Sequence, residues 1–272
     1  MEIFYINQRK STMRRENIES MLIKYSLNEK VRRFEALTAD NFQGTISNSE
    51  IGCFRSHEKL INDISDQHRI IFEDDVIFNE KLAAILPAIE TSLDNGYDML
   101  FMATLHPYMN LTSTVEFLKI KDHLQSQSDA EFSIIDGKQF YRSGTIAYSV
   151  NSNSKKKILD EINISKKNGY SMPIDFLYFK LIQEGKINAG VIFPFPIACA
   201  VMPTEIHDRK NDGIQELYDE HINLFSKAFN ENEMLSKLIS WAISKDLKKE
   251  NIIAALLCLK HFEEKRDINN YK

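Results

Sequence analysis

Cysteine is scarce in this chain: Cys53, Cys199 and Cys258 are the whole supply among 272 residues. They lie far apart, match no zinc spacing and, being odd in number, close no disulfide framework. Buried reduced thiols are the simplest reading. Glycine is also sparse, and no glycine cluster builds a dinucleotide fingerprint or a P-loop. No apolar run nears the ~20 residues that span a bilayer; the longest late stretch, Ile252 to Leu259, is far too short. An excess of positive charge is missing as well. At a formal net charge of -5, bulk electrostatics gives no support to a general nucleic-acid role. The opening Met1-Glu2-Ile3-Phe4-Tyr5-Ile6-Asn7 lacks the basic segment and longer apolar core of a signal peptide. The chain is therefore expected in the cytoplasm, with contact at a membrane surface left open.

What is present is an alternation of strand and helix signals. Ile3 to Ile6 suits a buried strand, and Ile18, Met21, Leu22 and Tyr25 share one face of a helix spanning Arg14 to Tyr25. Val31 to Ala36 reads as a second strand. Ser47-Asn48-Ser49-Glu50 resembles a capping box opening a helix to Ile64. The compact strand Arg69-Ile70-Ile71-Phe72 runs into Glu73-Asp74-Asp75. A helix over Lys81 to Leu93, stopped at Asn95-Gly96, leads to a strand at Met99 to Ala103. The stretch from His106 to Arg142 reads as loops and short strands around an acceptor site. Strands at Thr145 to Val150 and Val191 to Phe195 flank helices at Ser154 to Ile162 and from Pro173 to Glu184. This order predicts an α/β fold with a mixed, mostly parallel sheet. The tail differs. Tyr218, Ile222, Phe225 and Phe229 form one helical stripe, and Leu235, Leu238, Ile239 and Ala242 a second. A domain over 1–212 and a helical segment over 213–272 are the expected division.

Three adjacent carboxylates at a strand end are the strongest chemical signal. Such packing is unfavourable unless water screens it or a cation binds, and hard divalent ions take oxygen ligands. Alternate residues of an extended segment face the same way, so Glu73 and Asp75 are expected to converge while Asp74 faces elsewhere. In open α/β sheets, ligands bind beyond the carboxyl ends of strands, where this triplet sits. A solvated acidic turn is the alternative. Asn7, Arg9, Arg14 and Arg15 follow the first strand, and arginine forks suit phosphate oxygens; a solvated helix start is the alternative there. Gly52, within the first turn of its helix, allows another backbone or a ligand to approach closely. Cys53 and His57 at i and i+4 allow a nucleophile pair, although a lone histidine is more often a satisfied core residue.

Tyr5-Ile6-Asn7 with Arg9 and Arg14-Arg15, Glu50-Ile51-Gly52-Cys53-Phe54 with Ser56-His57, and Phe72-Glu73-Asp74-Asp75-Val76 together resemble glycosyltransferase family 25. This is the lipooligosaccharide galactosyltransferase family. Gly144-Thr145-Ile146-Ala147-Tyr148 and Pro173-Ile174-Asp175 extend the resemblance over roughly the first 200 residues, in the family's order. It implies a GT-A-like nucleotide-sugar-binding fold, a UDP-hexose donor and inversion at the anomeric carbon. It also implies a DXD-type acidic motif that holds diphosphate through Mn²⁺ or Mg²⁺. The expected metal ligands are Glu73 and Asp75, with His207 completing the shell. Ile6, Asn7, Arg9 and Arg14 would grip the nucleotide, and Ser49, Gly52, Ser56 and His57 would line the donor pocket beside Glu73 and Asp74.

The expected reaction moves a hexose, most often galactose from UDP-galactose and otherwise glucose, to a lipooligosaccharide or other surface-glycan acceptor. Lipid-linked acceptors bring peripheral contact with the inner face of the inner membrane into view. Asp175 is the candidate base, since Pro173 would fix it at a helix start near the carboxyl edge of the sheet; Asp74 is the alternative. The competing classes are a metal-dependent phosphohydrolase or nucleotidyltransferase and a non-catalytic nucleotide-sugar-binding protein.

Overall fold

Short apolar runs become strands wherever both faces can be covered, and that condition organises this molecule. A computed structural model describes residues 1–39, 44–79, 82–104, 132–167, 169–193 and 195–199. Strand β1 (Glu2–Asn7), helix α1 (Thr12–Lys24) and strand β2 (Val31–Glu35) form a βαβ unit with parallel pairing from Ile3 opposite Val31 to Asn7 opposite Glu35. Helix α2 (Asn48–Asn62) then carries the chain across to β3 (Arg69–Glu73), which lies parallel to β1 on its other side. The order β2-β1-β3 places a topological switch point between β1 and β3, where open α/β sheets bind ligands.

The remaining described elements extend this sheet. They are β4 (Val76–Phe78), α3 (Leu82–Asp94), β5 (Met99–Phe101), β6 (Ser133–Asp136), α4 (Gly137–Phe140), β7 (Ala147–Val150), α5 (Lys155–Ser165), α6 (Ile174–Gln183), β8 (Ala189–Phe193) and β9 (Ile197–Cys199). The main sheet has seven strands in the order β2-β1-β3-β7-β5-β8-β6, and β4 pairs with β9 in a small second sheet. The mixed α/β architecture matches the expectation from sequence. Its balance is more even than the alternation suggested: three pairings are parallel and three antiparallel, because β7 and β6 enter against their neighbours.

Strand alternation sorts the core into two layers. Ile6, Ile71, Phe101, Tyr148 and Val191 face α2, α5 and α6. Ile3, Tyr5, Ile70, Phe72, Leu100 and Ile192 face α1 and α3. Helix α1 is held by the fully buried Ile18 and Leu22, each worth about 1.5–3 kcal/mol of apolar burial. Helix α2 starts on the expected capping box, in which Ser47 Oγ accepts from the Glu50 amide and Glu50 reciprocates to the Ser47 amide. Gly96, at φ +107°, ends the turn after α3.

Three expectations fall partly or wholly outside the described residues: the helical tail over 213–272, the boundary at 212 and most of the stretch after His106. The described end of that stretch contains β6, one of the short strands expected there, and the short helix α4, which was not expected. The segments β4 and β9 were likewise not anticipated. Among the described residues, no helix is long and apolar enough to cross a membrane.

Candidate active site

The carboxyl ends of β1 and β3 meet at the switch point, and their side chains are locked together there. Asn7 is buried; its Nδ2 donates to Asp74 Oδ2 at 2.7 Å and to the Ser11 carbonyl at 3.1 Å. Arg33 Nε donates to Asn7 Oδ1 at 3.0 Å. Arg14, in the first turn of α1, donates to Asp74 Oδ1 at 2.8 Å and to Asp75 Oδ2 at 3.3 Å. Both oxygens of Asp74 are thus satisfied by the elements it joins.

Asp74 and Asp75 occupy the two-residue turn between β3 and β4 rather than an extended segment, so simple alternation does not order the triplet. Glu73, the last residue of β3, instead turns toward the α2 side. Its Oε1 accepts from Thr145 Oγ1 at 2.5 Å and lies 3.4 Å from His57 Nε2. Burial alone would raise the Glu73 carboxyl. The His57 ring and the Thr145 hydroxyl, with Arg14 beyond them, overcome this and hold it below the ordinary range. Asp75 goes the other way: burial and then the Glu73 charge push its carboxyl up to about 7, against the partial relief of Arg14. Asp75 Oδ1 is buried with no hydrogen-bond partner.

A cleft of about 300 Å³ opens above these groups. Of the residues expected from sequence, Ile6, Arg14, Ser49, Gly52, Ser56, His57, Glu73, Asp74 and Asp75 line it. Asn7 lies just beneath as a latch, and Arg9 is exposed outside the lining. His207 lies outside the described residues. Cys53, within the Ser49 to His57 segment expected at the pocket, lines it too; one wall, Ala36 to Ala39 after β2, was not foreseen from sequence, nor were Gln8, Lys10 and Asn48. That wall is fastened to α2. Ser56 Oγ accepts from the Leu37 amide at 2.8 Å and donates to the Gly52 carbonyl at 2.8 Å, while Arg55 donates to the Thr38 carbonyl. A Cβ on Gly52 would stand 2.6 Å from the Leu37 carbonyl oxygen. The glycine therefore lets the loop backbone seat against the helix. A glycine and a serine one turn apart on a helix are the signal that points to this packing.

Asp175, in the first turn of α6, stands outside the lining residues. Its Oδ2 accepts from the Gly144 amide at 3.0 Å and its Oδ1 from the Phe176 amide at 2.9 Å. Burial, with Glu73 among the smaller contributions, raises its carboxyl against these two amides. The Gly144-Thr145 step links the two candidate acids, since Gly144 holds Asp175 and Thr145 holds Glu73. Cys53 is poorly suited to be a nucleophile: burial, then the Glu73, Asp175 and Asp75 charges, push its thiol well up.

The model of glycosyltransferase family 25 (LPS biosynthesis protein) matches residues 1–178, and the chain belongs to that family. The described fold continues past this match, since β8, at Ala189–Phe193, sits between β5 and β6 in the main sheet. No curated protein matches the chain. Among solved structures, one similar chain is the galactosyltransferase LgtC in complex with donor and acceptor sugar analogs. It is 11% identical, with a TM-score of 0.31 over 81% of this chain and 96% of that one.

Proposed function

We propose that the cleft between β1, β2 and α2 binds a nucleotide-sugar donor, and that the chain transfers its hexose, with inversion, to a lipooligosaccharide or related surface-glycan acceptor. Family membership supports glycosyl transfer over phosphoryl transfer. UDP-galactose is the favoured donor on the family resemblance, with UDP-glucose next. The observation that carries the reading is the uncompensated acidity at the carboxyl end of β3. Asp75 is half-buried, with its Oδ1 buried and unpartnered and its carboxyl pushed up to about 7.

That orphaned oxygen beside Glu73 fits a divalent ion, Mn²⁺ or Mg²⁺ by the all-oxygen donor set. Glu73 and Asp75 would hold it, and when bound it supplies positive charge to the departing diphosphate. The chain's own residues do the rest. Arg14 lines the cleft beside the acids, and a guanidinium fork suits phosphate oxygens. Asp74, with Oδ2 held by Asn7 and Oδ1 ion-paired to Arg14, fixes β1 against the acidic turn, a positioning role. The strip from Ala36 to Ala39 offers peptide groups and apolar contact to a nucleobase.

In the reaction an acceptor hydroxyl oxygen bonds to the anomeric carbon as the bond to the diphosphate oxygen breaks. Asp175 is the proposed acceptor of the hydroxyl proton. Its raised carboxyl suits that task, and the Gly144 amide holds it.

A panel of nucleotide sugars, incubated with the chain and Mn²⁺ with and without a lipooligosaccharide acceptor, tests the proposal. One hexose donor should be consumed with transfer to the acceptor, and Asp75→Ala should lower the rate by about 100-fold or more while the circular dichroism spectrum is kept. Release of phosphate or nucleotide transfer without glycosyl transfer would refute it.

A further inference from the structure

The inner end of the cleft holds a second set of metal-ligating side chains, chemically unlike the all-carboxylate pair. Among the described residues, Cys53 Sγ, a ring nitrogen of His57 and a carboxylate oxygen of Glu73 lie within 4.8 Å of one another. Ligand atoms around a shared tetrahedral zinc stand roughly 3.5 Å apart, so modest side-chain rotations close the set. Cys53 and His57 are one turn apart on α2, so their side chains share a face. Glu73 meets them from the end of β3.

His57 supplies an independent pointer to a ligand. Its side chain is 1% exposed and 3.4 Å from Glu73 Oε1, yet its Nε2 makes no hydrogen bond. Its Nδ1 lies 2.9 Å from the Tyr148 hydroxyl, which in turn is 3.5 Å from the Tyr178 hydroxyl. In the metal-free chain an Nε2 proton facing Glu73 Oε1 accounts for the lowered Glu73 carboxyl; with Nδ1–H donated to Tyr148 instead, Nε2 and Glu73 Oε1 present two lone pairs to a cation that takes that proton's place. Orientation of one ring nitrogen by an outer partner is the usual support of a metal-ligating histidine.

We infer that Cys53, His57 and Glu73 form a binding site for a thiophilic divalent cation of the zinc class, with its fourth position open to the cleft. A thiolate donor selects such ions over Mn²⁺ and Mg²⁺, which prefer oxygen. On binding, the Cys53 S–H bond breaks, the proton passes to solvent and the sulfur electron pair bonds the metal. Because Glu73 belongs to both ligand sets, the two ions compete for it. Zinc would withdraw that carboxylate from a donor-bound hard cation; this consequence, unlike the binding itself, rests on the function proposed above.

Binding is tested on the full reduced chain, freed of metal by a chelator and titrated with Co²⁺. A thiolate-to-cobalt charge-transfer band in the near ultraviolet should saturate at one equivalent and be displaced by Zn²⁺ but not by Mg²⁺. Cys53→Ser should abolish the band and weaken Zn²⁺ binding by more than the roughly 100-fold that losing an outer partner costs at most. Cys199→Ser and Cys258→Ser should keep both. In the unmodified protein, alkylation of Cys53, followed by peptide mapping, should slow in Zn²⁺ and not in Mg²⁺. Absence of the band, its survival in Cys53→Ser, or alkylation indifferent to Zn²⁺ would overturn the site. None of these readouts needs a nucleotide sugar, so a failure here is separable from a failure of the proposed transfer reaction.

Discussion

The two ends of strand β3 carry buried charge in opposite ways. At its start, the Arg69 side chain is buried, and its guanidinium donates to the Leu60 carbonyl at 2.6 Å, the Asp63 carbonyl at 3.2 Å and the Glu2 carboxylate. It also covers the Phe4 ring at 4.6 Å. Only Nε lacks a partner. One cation is met by several oxygens, and the result clamps the end of α2 to β1 and β3. At the strand's other end, four residues on, Asp74 and Asp75 share Arg14, Glu73 leans on Thr145 and His57, and Asp75 Oδ1 and His57 Nε2 have no hydrogen-bond partner. Buried charge that is paired serves the fold; buried charge left short of counter-charge marks where a ligand supplies the remainder.

Substitutions sharpen this contrast, beginning with the largest effect. Asp175→Asn removes the proposed proton acceptor but keeps an oxygen for the Gly144 amide. Turnover should fall by about 10²–10⁴-fold, with donor affinity by calorimetry little changed; undiminished turnover would place the base elsewhere. Arg69→Ala leaves carbonyls and Glu2 without their cation. Urea unfolding should show a loss of about 3 kcal/mol, while the affinity of the folded protein for donor stays as it was.

Asp75→Asn should have the reverse sign from Arg69→Ala in metal-free protein. The folded-state carboxyl is raised to about 7, above its unfolded value of roughly 3.9. Its stabilising contribution is therefore full below about pH 4 and lost as pH rises through about 7. The groups facing it are Glu73, Asp74 and Arg14. Melting temperature should decline from pH 5 to 8 in the unmodified chain and decline less in Asp75→Asn, and saturating Mn²⁺ should cancel the difference. Equal pH profiles would mean that Asp75 is not strained by its neighbours. The smallest effect is expected from Ser47→Ala, which removes the cap of the helix that carries Ser49 to His57. It should cost about 1 kcal/mol and leave the chemistry intact.

Much of this was legible in the sequence, for identifiable reasons. The runs Ile3 to Ile6 and Arg69 to Phe72 are bounded on both sides, and Ser47 with Glu50 forms a cap by local geometry alone. The acidic triplet falls at the site because strand ends at a switch point are where the topology puts it. What escaped depends on long-range partners. Three-residue strands such as Val76–Phe78 and Ile197–Cys199 exist only because they pair with each other. The wall at Ala36 to Ala39 carries little polar signal, and only its docking on Gly52 and Ser56 makes it part of the cleft. Asn7 read as a nucleotide grip, yet its contacts to Asp74, Ser11 and Arg33 make it a latch. Two of those partners, Asp74 and Arg33, are distant in sequence, and nothing local announced them.

The most direct test is calorimetric binding of UDP to the metal-free chain, with and without Mn²⁺, repeated on Asp75→Ala. Binding should tighten at least tenfold with Mn²⁺, a gain of about 1.4 kcal/mol, and Asp75→Ala should erase that gain. Equal affinity in chelator and in Mn²⁺, or a gain that survives in Asp75→Ala, would contradict the claim that these carboxylates join the donor through a cation.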